Sequence, residues 1–286
     1  MQAGVLVQRG SVKHSSQMDR LAINHITTRR WSLQEAIVGY AGLGVRGIGI
    51  WPDAAKAFGI VQTRQLLRQH GMLVSGYCCG NMFTARTPRS RREQLSRNRT
   101  LIDEAAALEA QCLVCVSGGL SEGNADLASA RKWALDGLSQ LVPFAREAGI
   151  AIGIEPIHPM RASDLCCITT LAEANALCDA LGFGTGIVVD VYHVWWDPNL
   201  ACELERARGR VVGVHLSDWL RSWEESKVGC GMIGDGVIDI RTIIQAVGCM
   251  GYTGLHEVEL VSPIWGALDP IYVSQKCIER YRSHCL

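Results

Sequence analysis

The run "GIVVDVYH", residues 186–193, opens apolar and closes on an acid, an aromatic and a histidine. Ile187, Val188 and Val189 are consecutive branched residues, which suits a strand covered on both faces rather than one alternating between core and solvent. Such a strand belongs in a parallel sheet, where each strand needs a helical crossover to the next. Outward along the chain the same unit recurs. Strands are predicted at 21–27, 47–51, 72–78, 112–118, 151–157, 186–193, 211–218 and 254–260. Amphipathic helices are predicted near 32–43, 60–70, 89–110, 125–148, 169–181, 199–208, 239–250 and 270–282. Eight such units in about 250 residues predict a (β/α)8 TIM barrel. We place it as a single domain over 21–286, with 1–20 as an N-terminal extension. A doubly wound open sheet would put a glycine-rich phosphate turn after an early strand, whereas "GLGVRGIG" at 42–49 precedes and overlaps one.

Helix punctuation agrees with this parse. Ser32 followed by Glu35 forms a capping-box pattern, and Gly71 closes the helix before the third strand. The stretch 219–238, rich in Trp, Gly and Ser, reads as a long loop after the seventh strand, at the end where barrels keep their chemistry.

Composition narrows the function classes. Lys and Arg total 28 and Asp and Glu total 28, so no net charge recommends a nucleic acid or an anionic membrane surface. No apolar run is long enough to span a bilayer, and the first 20 residues lack a secretory pattern, so a cytoplasmic protein is expected. The twelve cysteines fall mostly inside apolar segments and read as reduced, buried thiols. Cys112 and Cys115 sit three apart on one strand and so face opposite sides, which rules out a shared ion.

Polar residues interrupt the last four strands near their C-terminal ends. Glu155, Asp190, His215 and Glu259 are delivered one per strand to the same rim, all with inward parity. Singly, each has an ordinary reading as a core histidine or an arginine-paired acid. Together, three buried carboxylates and one imidazole demand a strong cation. The donor set suits Mn²⁺, Mg²⁺ or Co²⁺, with Zn²⁺ as the remaining option. Glu257, two residues before Glu259, has the same parity one layer deeper and reads as a support for the ligands or a carboxylate paired within the core.

The segments "GIEPIHP", "VVDVYHVWWDP", "GVHLSDWLR", "GMIGDGVIDI" and "GYTGLHEVEL" resemble, in order, the motifs of the xylose isomerase-like TIM barrel superfamily. That group includes ketose 3-epimerases, inosose isomerases and dehydratases, and the endonuclease IV type. The resemblance spans residues 21 to about 282 and places a single-metal quartet on Glu155, Asp190, His215 and Glu259. It implies a divalent-metal-dependent sugar isomerase or epimerase working through an enediolate, with Glu155 and Glu259 as the acid/base pair. His193 matches a family residue that contacts substrate or a second metal, and Arg221 matches an arginine that binds substrate oxygen in the epimerases; both are substrate-binding candidates. His158 is a further acid/base candidate from its place three residues after Glu155. Trp51, Trp195, Trp196, Trp219 and Trp265 stand at or after strand ends, where flat faces suit a sugar; Trp51 and Trp195 are the substrate-binding candidates.

No phosphate cradle is evident, which favours an unphosphorylated keto-sugar or polyol. An alternative keeps the proton removal but ends in elimination from a 3-keto-glycoside, as in C-glycoside deglycosidases. An endonuclease IV role is disfavoured because strand 72–78 has no histidine and the chain no basic excess. The expected partner is a small carbohydrate, with a homo-oligomer or a small partner subunit left open.

Overall fold

The computed structural model describes residues 17–81, 83–120, 126–222, 224 and 229–286. Eight strands pair in chain order, all parallel, and the last returns to the first. They are β1 (Leu21–Asn24), β2 (Gly47–Ile50), β3 (Leu73–Asn81), β4 (Cys112–Val116), β5 (Ala151–Ile154), β6 (Thr185–Asp190), β7 (Val211–Leu216) and β8 (His256–Val258). The barrel expected from the unit count is therefore closed. Helices Leu33–Gly42, Ile60–His70, Pro88–Ala107, Leu127–Ala148, Leu171–Leu181, Leu200–Arg206, Ile240–Cys249 and Pro270–His284 surround it. Most of the 1–20 extension lies outside the described residues, but Arg20 donates to the carbonyls of Gly254 and Tyr252, which ties that end to the rim below β8.

Local chemistry sets the element ends. The Ser32 hydroxyl accepts from the Glu35 amide, and the Glu35 carboxylate accepts from the Ser32 amide, completing the capping box. Gly71 takes φ 63°, the left-handed conformation that ends a helix cheaply only in glycine. Strands β1 and β8 are shorter than expected. Thr27, at the end of the expected first strand, instead donates through its hydroxyl to Val258 O and accepts from Leu260 N, so the chain turns there to build the rim.

The outward strand residues, such as Ile23, Ile48, Ile152, Ile187 and Val214, pack into the main core beneath the helices. The interior is different. Cys78, Cys112, Val114 and Val188 form a separate small cluster, and Gly49, Gly76, Gly153 and Gly213 line the rest of the bore. Cys112 belongs to this inner cluster and Cys115 to the outer core, the opposite-face arrangement that parity predicts. All twelve cysteines are free, and only Cys202 and Cys249 are exposed. Among the described residues no helix is long and apolar enough to cross a membrane.

One buried base couples the fold to pH. His256 on β8 hydrogen-bonds through Nδ1 to the Tyr281 hydroxyl at 2.8 Å, and burial, helped by Arg20, pushes its pKa down from 6.5 to about 3. Below the ordinary histidine range the unfolded chain takes the proton first. This contribution is therefore whole at neutral pH and is lost as pH falls from about 6.5 toward 3, by up to on the order of 4 kcal/mol. Urea unfolding at pH 7 and pH 4.5 is expected to show a smaller acid loss for His256→Gln than for wild type. Equal losses would remove His256 as a cause.

Candidate metal centre and substrate pocket

Asp190 closes β6, His215 lies in β7, and Glu155 and Glu259 are the residues just past β5 and β8. Register places Asp190 beside His215 and His215 beside Glu257, so Glu259 stands above the layer of Glu257. One ligand atom from each of Glu155, Asp190, His215 and Glu259 can be chosen so that all four lie within 4.8 Å of one another. His215 Nδ1 is 3.0 Å from Glu155 Oε1 and 3.1 Å from Glu259 Oε2. Asp190 Oδ1 accepts from the Tyr192 amide at 2.8 Å, capping the turn Val191–Val194 and fixing the carboxylate's direction.

The electrostatics are those of donors crowded around one point. Burial opposes charge on His215, yet Glu257, Glu259 and Glu155 outweigh it and raise its pKa well above the ordinary value. Burial first, then Glu155, raises that of Asp190. Three buried carboxylates around one imidazole repel one another, and a divalent cation is the species that resolves this. The donor set and its convergence fit such an ion.

Glu257 is separate from this set. It is 1% exposed and accepts from Ser75 Oγ at 2.6 Å and from Asn24 Nδ2 at 2.5 Å. Its Oε2 lies 3.8 Å from His215 Nε2, on the far side of the ring from Glu155 and Glu259. Placed there, its charge favours keeping the ring's proton on Nε2, so that an ion taking the place of the Nδ1 proton would meet the lone pair that faces the other ligands.

Asn24 was not singled out from sequence. Besides Glu257 it donates to Glu259 Oε1 at 3.0 Å, and its Oδ1 accepts from Trp51 Nε1 at 3.0 Å. Its one available signal was a polar side chain closing an otherwise apolar strand, "LAIN".

Room for Glu257 comes from Gly49 on β2. A Cβ there would overlap Glu257 Oε1 and approach Asn24 Nδ2. Because both groups are pinned, Gly49→Ala is expected to cost about 1–3 kcal/mol in chemical denaturation. A neutral result would mean that Glu257 moves freely.

Above the quartet lies a pocket of ≈ 360 Å³ whose lining includes Asp190, Glu259, Trp51, His158, His193 and Arg161. His193 Nε2 is 3.7 Å from Asp190 Oδ2, and burial pushes its pKa to about 3, so the ring is neutral at physiological pH. His158 is half-buried with its ring 4.8 Å from that of Trp219, and burial lowers its pKa. Trp195 lies outside this lining and packs against Trp219 at 5.9 Å. Arg221 is exposed and also outside the lining. The chain has turned before it. The Asp218 carboxylate accepts from the amides of Trp219, Gly234, Gly236 and Ile238, gathering the described part of the 219–238 loop into a knot at the end of β7.

Fold and site together define a parallel (β/α)8 barrel with a candidate divalent-ion centre carried by its last four strands. The chain belongs to the xylose isomerase-like TIM barrel family, whose model matches residues 40–280. It is similar to a fructoselysine 3-epimerase of Shigella flexneri, 23% identical over 274 residues, covering 89% of this chain and 94% of that one. Among solved structures, protein SMc04130 from Sinorhizobium meliloti 1021 matches with a TM-score of 0.90 and 37% identity, covering 94% of this chain and 99% of that one. The IOLI protein, solved with a zinc atom, matches with a TM-score of 0.79 at 19% identity, covering 92% and 97%.

Proposed function

We propose that the protein is a divalent-metal-dependent sugar epimerase or isomerase acting on a keto-sugar. The observation that carries this is the convergence of Glu155, Asp190, His215 and Glu259 beneath a pocket walled by His158, His193 and Trp51. The similarity to a sugar 3-epimerase supports the substrate class.

Glu155, Asp190, His215 and Glu259 would hold the ion. When bound, a divalent cation supplies Lewis-acid stabilisation of the negative charge that develops on the substrate oxygens as a carbon-bound proton leaves. Glu155 and Glu259 approach His215 Nδ1 from strands on either side of β7, so they offer carboxylates from two directions. One removes the proton and the other returns it from the opposite face, which inverts a carbon; a single base serving two neighbouring carbons gives isomerisation instead. His193, neutral at working pH, hydrogen-bonds a substrate hydroxyl without adding charge. Trp51, fixed by Asn24, offers the sugar a flat wall.

The test is incubation with ketohexoses in D₂O, with Mn²⁺, Mg²⁺, Co²⁺ or Zn²⁺ supplied separately, followed by NMR. Deuterium at an inverted carbon, abolished by chelator, is expected. Elimination from a 3-keto-glycoside without epimer formation would replace this reading with a lyase, and chelator-insensitive turnover would remove the metal from it.

A further inference from the structure

We propose that the preferred substrate is a ketose whose far end carries a carboxylate, bound by the guanidinium of Arg161; this rests on the epimerase reading above. Arg161 lines the same pocket as Asp190, Glu259 and His193, and is the only Lys or Arg among its described lining residues. Its backbone is held at both ends. The amide donates to His158 O at 2.9 Å, and the carbonyl accepts from Leu165 N at 2.9 Å and Cys166 N at 3.1 Å.

The side chain is oriented as well. Asp164 accepts from Nε at 2.8 and 3.1 Å and pairs with Nη2 at 2.7 Å, which aligns the guanidinium along one edge and leaves the end edge, Nη1 and the second N–H of Nη2, for another acceptor. Arg161 is 47% exposed and Asp164 55%, so the pair is a weak surface contact that an incoming anion can share.

The chemistry follows from where the charges stand. Three carboxylates and a divalent ion at the floor still leave a net negative charge, which repels an anionic group. Arg161 offers the wall the opposite sign, and a planar guanidinium matches a carboxylate with parallel N–H bonds. A ketose with a terminal carboxylate would therefore be drawn in one way round, acid to Arg161 and carbonyl to the floor. A neutral ketose has no such preference for direction.

The experiment uses the Mn²⁺-loaded protein and calorimetric binding of three probes: a hexulosonate with its carboxylate farthest from the ketone, the matching ketohexose, and that ketohexose's terminal phosphate ester. Wild type is expected to bind the carboxylate at least about tenfold more tightly than the neutral sugar, with Arg161→Gln erasing most of that ratio and Arg161→Lys keeping part of it. Steady-state kinetics should show the loss in KM rather than kcat. A ratio near one in wild type, a ratio unmoved by Arg161→Gln, or a preference for the phosphate would each overturn the proposal. Because binding is read without turnover, failure of the epimerase chemistry registers separately, as binding without deuterium exchange.

Discussion

Glu259→Gln is expected to yield a folded barrel that no longer retains a divalent ion through dialysis and turns over keto-sugars about 10³-fold more slowly. Glu259 is only partly buried, lines the pocket, and lies 3.1 Å from His215 Nδ1, so it serves the ion and the substrate at once. The neutral amide keeps its shape but removes the charge that offsets a cation and the basicity that takes a proton. Its other contact, from Asn24 Nδ2, can be lost at little cost to folding because Glu259 stands at the rim. Metal content by elemental analysis, circular dichroism and the NMR assay check the three parts separately. A Glu259→Gln protein with full metal and full activity would sink the quartet, and His215→Ala should fail in the same way.

The second large effect is expected at Asn24, which touches no ion in this arrangement. Asn24→Ala removes the donor to Glu257 at 2.5 Å and to Glu259 at 3.0 Å, and leaves Trp51 Nε1 without its acceptor. Asn24 is fully buried, so no water readily replaces these bonds. The cost is about 2–3 kcal/mol in stability, since a buried carboxylate loses one of its two donors. Metal affinity should fall roughly 10–100-fold, the usual penalty for removing a ligand's support. A shift in tryptophan emission would report the release of Trp51. Unchanged metal affinity in a destabilised protein would reduce Asn24 to a packing role.

The barrel was legible because its evidence is local and repeated: Ile187, Val188 and Val189 read as one buried strand, and seven similar runs repeat the message. The rim residues were legible because strand parity is a two-residue rule that turns Glu257 and Glu259 to the same inward face, and their order along β8 puts Glu259 one layer nearer the rim. What parity could not show is who meets whom across the bore. Asn24 and Glu257 are 233 residues apart, and Ser75 and Glu257 are 182 apart. Nothing in "LAIN" or "MLVSGYC" announces those meetings. Loop geometry was equally hidden. Arg221 follows His215 by six residues, but the chain turns where the Asp218 carboxylate accepts from the Trp219 amide, and Arg221 comes to the surface. The short helix Pro52–Phe58 is not legible in the sequence because it has fewer than two turns in which to show a period.

The glycines that line the bore have a practical consequence for anyone wishing to toughen this protein. Filling empty interior volume is a usual route to a higher melting temperature, and a lumen lined by Gly49, Gly76, Gly153 and Gly213 invites it. Here, however, a methyl group at Gly49 would strike Glu257, and one at Gly153 would strike Val188. The vacant-looking lumen is already spoken for by the carboxylate and the valine. Engineering for heat tolerance belongs on the outer shell of helices, where it leaves the bore untouched.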